Sequence, residues 1–267
     1  MLDSLSSGCL IHSAAFQFLA PGILARESKI IVVKGFPSPW SVAAKAMLDF
    51  KGLDFVCGPQ IPGEENAALK AWSGTNSAPV VAWNDEPPVN RWDSILHLIE
   101  RLEPNNPLLP PDPQSRTQVM GLAHELCGEL GLGWNLRLIL FAAIGASGAM
   151  PPQIKTQTGK YGFRKNDVEK ANERVQQTLK FFSHHYETQR NQGSRFLVGD
   201  SLTAADFYWA AFCNLIDLPG EEVIAISPQA RGLIESMAPL FSKHLDPELS
   251  AHRDRILKEH CRLPMAF

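Results

Sequence analysis

The sequence lacks the long apolar runs and the basic clusters that mark membrane proteins and nucleic-acid-binding proteins. One of its longest apolar stretches, residues 136–144, is interrupted by Arg137 and is far shorter than the roughly 20 residues of a transmembrane helix. No Lys/Arg-rich run occurs, and the net charge of −3 provides no attraction to nucleic acid. We therefore expect a protein that binds neither a membrane nor a nucleic acid.

Cysteine is also scarce, and its spacing excludes two further classes of protein. The five cysteines are Cys9, Cys57, Cys127, Cys213 and Cys261. They are odd in number, contain no C-x-x-C pair and lack the spacing of zinc ligands. We expect reduced, mostly buried thiols in a cytoplasmic protein, with no metal site.

Apolar residues make up 45% of the 267 residues and charged residues 20%, as in an ordinary globular chain. Residues 1–28 have no regular period, no basic segment before their apolar part and only one arginine. They fit neither a secretory signal nor an organelle transit peptide. We interpret them as an N-terminal extension.

Residues 29–103 show a β-α-β-α-β-β-α pattern. The β-branched run 30–33 predicts a buried strand, and the apolar stripe of residues 92–102 predicts an amphipathic helix. The other predicted strands are 53–57, 77–83 and 87–89, and the other predicted helices are 40–51 and 64–72. Residues 104–113 are proline-rich and predict a rigid linker.

Beyond the linker, residues 114–267 contain helical patterns and no strand pattern of similar strength. The glycines within 115–147 predict a bend in a long helix, and residues 148–162 read as a loop. The later predicted helices are 166–192, 203–216, 229–237 and 246–260, the last two at the surface.

Three motifs stand at the ends of the N-terminal elements. The turn Phe36-Pro37-Ser38-Pro39-Trp40-Ser41 places a hydroxyl, of Ser38 or of Ser41, at a helix N-terminus. Such a hydroxyl either caps the helix or donates to an anion bound there. The other two motifs are Ser77-Ala78-Pro79-Val80 at a strand start, where we expect a cis-proline, and Asp93-Ser94 at the start of the third helix.

A fourth motif, Thr203-x-x-Asp206, forms a capping box before an apolar helix. Leu202 and Phe207 occupy the two positions of a hydrophobic staple around it. This motif supports the fold and carries no chemistry.

Together the motifs and the element order resemble the soluble glutathione transferases, over roughly residues 29–260. The resemblance is to omega-, zeta- and bacterial-like members with a serine in the active turn. It implies an α/β thioredoxin-like N-terminal domain over 29–103, the linker 104–113 and an all-α C-terminal domain over 114–267.

The resemblance also implies glutathione as co-substrate and a role for each motif. Ser38 would be the catalytic hydroxyl that donates to the glutathione thiolate, with Ser41 as the alternative. Ala78 and Pro79 would bind the peptide backbone of glutathione, and Asp93 and Ser94 would bind its γ-glutamyl group.

The implied activity is attack of the glutathione thiolate on a small hydrophobic electrophile, by conjugation or isomerisation. Serine in place of cysteine disfavours mixed-disulfide chemistry, because a hydroxyl forms no bond to the glutathione sulfur. Candidate contacts of the electrophile are Phe36, Trp40, Trp134, Asn135 and Arg137. The alternative is a non-catalytic ligand carrier or interaction protein, and in either case the resemblance implies a homodimer.

Overall fold

A computed structural model describes residues 28–146, 148 and 152–267, with Gln153 described by its backbone alone. The predicted N-terminal extension lies outside the described residues, except for Ser28, which begins the first strand.

The N-terminal domain has a small mixed sheet. Its elements are β1 (Ser28–Val33), α1 (Pro39–Phe50), β2 (Phe55–Gln60), α2 (Ala67–Ser73), β3 (Val80–Trp83) and α3 (Trp92–Leu102). The strand order is β2-β1-β3, with β1 parallel to β2 and antiparallel to β3. The prediction of a strand at 87–89 is wrong, because only an isolated bridge joins Val89 to Val81.

The central strand β1 is buried on both faces, which explains its unbroken apolar run. Ile30 and Val32 pack into the main core, whereas Ile31 packs on the other face against Leu69 of α2 and Val80. The adjacent α1 ends at Phe50, and Gly52 follows it with a φ of +64°, which suits a residue without a side chain.

The C-terminal domain contains seven α-helices among its described residues. They are α4 (Pro113–Cys127), α5 (Leu132–Ala146), α6 (Pro152–Lys160), α7 (Val168–Asn191), α8 (Ala204–Cys213), α9 (Pro228–Phe241) and α10 (Pro247–His260). Every residue of α8 is buried, and this helix packs against α1, α4 and α10. It therefore joins the two domains into one core.

Three details of the helical domain differ from the sequence prediction. Residues 148–162 are not a loop, since Pro152 occupies the first turn of α6 and the helix runs to Lys160. The last helix, α10, is not superficial, because it buries Leu249, Ile256 and Leu257. Two short strands, β4 (Ile224–Ala225) and β5 (Met265–Ala266), pair in parallel and were not predicted.

The bend predicted within 115–147 is a break between α4 and α5. Leu130 has a φ of +63° there, and the Asn135 side chain donates hydrogen bonds to the carbonyls of Leu130 (2.6 Å) and Gly131 (2.8 Å). The Asn135 side chain thus supplies a donor to the Leu130 carbonyl at the break and a second donor to the Gly131 carbonyl, which also accepts from the Asn135 amide at 3.1 Å.

Within the described part of the chain, one stretch meets a length and composition criterion for a membrane span. This stretch is Pro113–Ala146, which includes α4 and α5 and has a mean hydropathy of 1.3 in its most apolar window. However, 56% of that window is buried inside the protein, as in the core helices of soluble proteins.

Candidate functional site

A cleft of about 250 Å³ lies between the N-terminal domain and the helical domain, and we call it the central cleft. On the N-terminal side its lining includes Phe36, Ser38, Trp40, Gln60, Glu64 and Ala78. On the helical side its lining includes Leu136, Arg137, Leu140, Phe141, Lys160 and Tyr161. The sequence motifs around Ser38 and Ala78 therefore meet helices α5 and α6 in one cavity.

Ser38 stands at the N-cap of α1 and lines this cleft. Its carbonyl accepts the first helical hydrogen bond, from the Val42 amide at 2.8 Å, but its hydroxyl makes no capping hydrogen bond. The hydroxyl is therefore not engaged by the helix. In contrast, Ser41 is wholly buried and is not part of the cleft lining.

Trp40 forms a rigid wall of the cleft. Its indole Nε1 donates to the Cys127 carbonyl at 3.0 Å, and its ring meets Phe212 edge-on at 4.9 Å. Gly133 of α5 faces the same ring so closely that a Cβ there would lie 2.6 Å from Cη2 of Trp40. The absence of a side chain at Gly133 thus permits the close packing of α1 on α5.

Arg137 lies over the aromatic rings beside it. Its Cζ is 4.6 Å from the ring centre of Trp40, 4.0 Å from that of Tyr161 and 5.9 Å from that of Trp134. Burial lowers the pKa of the Arg137 guanidinium, and the neighbouring Tyr161 raises it in partial compensation. Arg137 therefore presents a positive charge to the cleft.

The peptide bond between Ala78 and Pro79 is cis. Ala78 lines the cleft, whereas Pro79 lies behind it, immediately before β3. The segment before Ala78 is joined to α6, because Lys160 Nζ donates to Asn76 Oδ1 at 2.5 Å and to Ser77 Oγ at 2.6 Å.

Asp93 and Ser94 stand in the first turn of α3 and do not line the central cleft. Arg91 donates to both carboxylate oxygens of Asp93, at 3.1 and 2.8 Å, and the Ser94 amide donates to Oδ1 at 2.8 Å. The hydrogen bonds from Arg91 hold the pKa of Asp93 below its usual value. Partial burial opposes this effect, and the hydrogen bonds from Ser94 add to it. Asp93 is therefore ionised at neutral pH.

Two residues predicted to contact the electrophile, Asn135 and Trp134, do not line the central cleft. The proposal for Asn135 is wrong, because its side chain is buried and both of its amide hydrogen bonds go to the break between α4 and α5. Trp134 does not line the cleft and supports it from behind, with its ring 6.0 Å from that of Tyr161.

Lys160, Tyr161 and Gly133 belong to the site but were not predicted from the sequence. Lys160 and Tyr161 fall in the segment interpreted as a loop, although an aromatic residue near its end was a signal of packing. Among the described residues, no group of three or more His, Cys, Asp or Glu side chains could hold a metal ion.

Part of the helical domain matches a known family model. Residues 153–240, from α6 to near the end of α9, match the model described as glutathione S-transferase, C-terminal domain. No curated protein sequence matches the chain.

Solved structures similar to this protein are glutathione S-transferases and a related enzyme. One, from Methylobacterium radiotolerans in complex with glutathione sulfonate, shares 16% identity, with 90% of this chain and 97% of that chain covered at a TM-score of 0.58. Another, from Methylobacillus flagellatus with glutathione bound, shares 12% identity over 88% and 99% of the two chains at a TM-score of 0.62. The β-etherase LigF from Sphingobium shares 18% identity, with 85% of this chain and 99% of that chain covered, at a TM-score of 0.57.

The protein has the glutathione transferase fold, a thioredoxin-like domain followed by an all-α domain, as the sequence predicted. Within this fold, residues 153–240 belong to the glutathione S-transferase C-terminal domain family by the family-model match.

Proposed function

We propose that this protein is a glutathione-dependent transferase that activates the glutathione thiol for attack on a small electrophile. The observation that carries the proposal is Ser38, which lines the central cleft at the N-terminus of α1 and whose hydroxyl does not cap the helix. The similar structures with bound glutathione and glutathione sulfonate support the choice of thiol peptide.

The chemistry follows from the position of Ser38. A hydroxyl at this point donates a hydrogen bond to the glutathione sulfur, and the positive end of α1 favours the same anion. Both interactions lower the pKa of the thiol, so that its proton is released to solvent at neutral pH. The thiolate then forms a C–S bond while a leaving group departs, or adds to a double bond whose other carbon takes a proton from water.

The remaining residues predicted to bind glutathione support its orientation. The backbone of Ala78 in the cleft suits pairing with the extended peptide. The ionised carboxylate of Asp93 suits the γ-glutamyl ammonium group, which would then compete with the exposed Arg91 for it. The first turn of α3, with Ser94, suits the neighbouring carboxylate.

A pair of serine variants tests the proposal. In Ser38→Ala, we expect the pKa of bound glutathione to rise by about one to two units, since a hydrogen bond to a charged group is lost. Conjugation should slow by about a hundredfold, the usual cost of losing one donor to a reacting anion. Thiolate absorbance titrated against pH and turnover with aryl halide and enone electrophiles provide the two measurements.

Ser41→Ala is the matched control, because its hydroxyl is buried outside the cleft and has no hydrogen-bond partner within the described part of the chain. It should leave the thiol pKa and turnover unchanged. If the two variants had the same thiol pKa and the same turnover, Ser38 would have no catalytic role. Glutathione binding by the wild type without turnover of any electrophile class would favour a ligand carrier instead.

We also propose, from the family resemblance, that the protein is a cytoplasmic homodimer. Sedimentation velocity at micromolar concentration should give a mass of about twice the 29.5 kDa of the chain. A species with the mass of one chain would contradict this.

A further inference from the structure

Arg137 is an unusual cation because nothing described in the protein neutralises it. Within residues 28–146, 148 and 152–267, no carboxylate lies within 4.0 Å of its guanidinium and no hydrogen bond joins it to another residue. Arg253, whose side chain is more fully buried, differs, since it pairs with Asp217 at 2.7 Å and Asp254 at 2.6 Å. A buried charge without a partner is costly, whereas stacking on aromatic rings compensates for only part of that cost.

Glu64 and Lys160, the other charged residues described in the lining of the central cleft, do not pair with Arg137. Glu64 lines the cleft but is exposed and forms no ion pair with Arg137. Lys160 is committed to Asn76 and Ser77. Among the described residues that line the cleft, the planar donor fork of Arg137 is therefore the charged side chain that is free to bind an anion.

The surroundings of Arg137 on α5 are apolar. Leu140, Phe141 and Ile144 follow it at helical spacing along the wall of the cleft, and the preceding Leu136 also lines the cleft. Leu215 contributes from beyond α8. Arg137 itself stacks on Trp40, two residues from Ser38 in the chain. A ligand in this cleft would bury an apolar body against α5 and extend an anionic group to Arg137, close to the turn that carries Ser38.

We propose that the electrophile is an apolar, carboxylate-bearing molecule whose carboxylate binds Arg137. The description of this ligand as an electrophile rests on the proposed function. Binding of its carboxylate, however, can be measured without glutathione. A carboxylate matches the fork of a guanidinium through two parallel hydrogen bonds, and the two aromatic rings keep that fork in place.

The test compares two unreactive ligands of nearly equal shape, 3-phenylpropanoate and 3-phenylpropanamide, by calorimetry on the full chain without glutathione. The wild type should bind the carboxylate about tenfold to a hundredfold more tightly than the amide. Arg137→Gln should reduce this ratio to near one, and Arg137→Lys should retain part of it. Arg116→Gln is the matched control, because it removes an exposed arginine whose side chain, among the residues that the structure describes, donates only to the Pro111 carbonyl. It should leave the ratio unchanged.

Equal affinity of the wild type for the two ligands would overturn the proposal, whether or not any variant folds. An unchanged ratio in Arg137→Gln, with its circular dichroism intact, would also overturn it.

The alternative ligand for Arg137 is a carboxylate of glutathione itself. In that case saturating glutathione would abolish the preference for phenylpropanoate and Arg137→Gln would weaken glutathione binding, which would overturn the assignment to the electrophile. We expect the preference to persist and glutathione affinity to change less than about twofold. Failure of glutathione to bind would refute the proposed function and leave the phenylpropanoate result standing.

Discussion

Gly133 determines how closely the two domains approach at the central cleft. A side chain there would collide with Phe212 and with Trp40, whose Cη2 would be only 2.6 Å from the new Cβ. Trp40 has little freedom to move, since its Nε1 is bonded to the Cys127 carbonyl. The position therefore combines tight packing with the placement of a cleft wall.

We predict that Gly133→Ala lowers the free energy of unfolding by about 1–3 kcal/mol, the usual cost of overpacking. Gly121→Ala provides the control, because Gly121 lies in α4 and a Cβ at this position would have no neighbouring atom within 4 Å. It should raise stability by up to about 1 kcal/mol, since alanine is the better helix former. Urea unfolding of both variants makes the comparison, and equal stability would show that Trp40 and Phe212 yield to the methyl group.

Two thiols show how burial suppresses reactivity at single residues. Burial raises the pKa of Cys213 and of Cys261 to about 12 in each case. At pH 8 only about one thiol in ten thousand is then a thiolate, the reactive form.

We therefore predict that iodoacetamide at pH 8 leaves Cys213 and Cys261 unmodified in the native protein. Both should be modified after unfolding in urea, where their pKa returns to about 8.5. Mass spectrometry of tryptic peptides measures the modification at each site. Rapid native labelling of either thiol would mean that local opening exposes it.

At the scale of single elements, the start of α8 is fixed by more than its capping box. Asp206 accepts from the Thr203 amide at 2.8 Å and the Thr203 hydroxyl at 2.9 Å. It also accepts from the Leu197 amide at 2.8 Å and lies 3.0 Å from Nε2 of His252 in α10. One buried carboxylate thus connects the helix, the preceding loop and a neighbouring helix.

We predict that Asp206→Ala destabilises the protein by about 2–4 kcal/mol, because several buried donors lose their acceptor. Asp112→Ala serves as the reference, since Asp112 is an exposed N-cap that accepts from the Ser115 amide at 2.7 Å. It should cost only about 1 kcal/mol. Thermal unfolding distinguishes the two, and equal losses would reduce Asp206 to an ordinary cap.

Elements with a strong local pattern were predictable from the sequence, and elements that depend on distant contacts were not. The run that forms β1, the stripe of α3 and the box before α8 each contain their own period or cap. In contrast, β4 and β5 are two residues each and pair across about 40 residues of chain. Segment α6 is polar and marked by proline, so its helix depends on contacts with the cleft.

The candidate site was predictable to the same extent. Ser38 and Ala78 belong to local motifs, and both line the cleft. Trp40 and Arg137 were recognised as candidates, but their contact depends on the packing of α1 against α5. The role of Asn135 in the helix break was not visible in the sequence, because the break itself was expected only as a bend.

At the scale of the whole molecule, the linker between the domains is held by one buried lysine. Lys51, at the end of α1, donates to the carbonyls of Glu103 (2.7 Å) and Asn105 (2.9 Å) and pairs with Glu100 at 2.8 Å. The Glu100 carboxylate in turn accepts from the linker amides of Leu108 and Leu109. The proline-rich segment is therefore bound to the N-terminal domain at Asn105, Leu108 and Leu109.

We predict that Lys51→Ala lowers the free energy of unfolding by about 3–5 kcal/mol, because it leaves the partly buried Glu100 carboxylate without its cation. Lys29→Ala is the matched control, since within residues 28–146, 148 and 152–267 the exposed Lys29 side chain makes only a 3.5 Å contact with the Asn84 carbonyl. Its loss should change stability by less than about 0.5 kcal/mol. Chemical denaturation followed by tryptophan fluorescence measures both. A Lys51→Ala variant as stable as Lys29→Ala would mean that water replaces the ammonium group and that the linker needs no internal cation to stay in place.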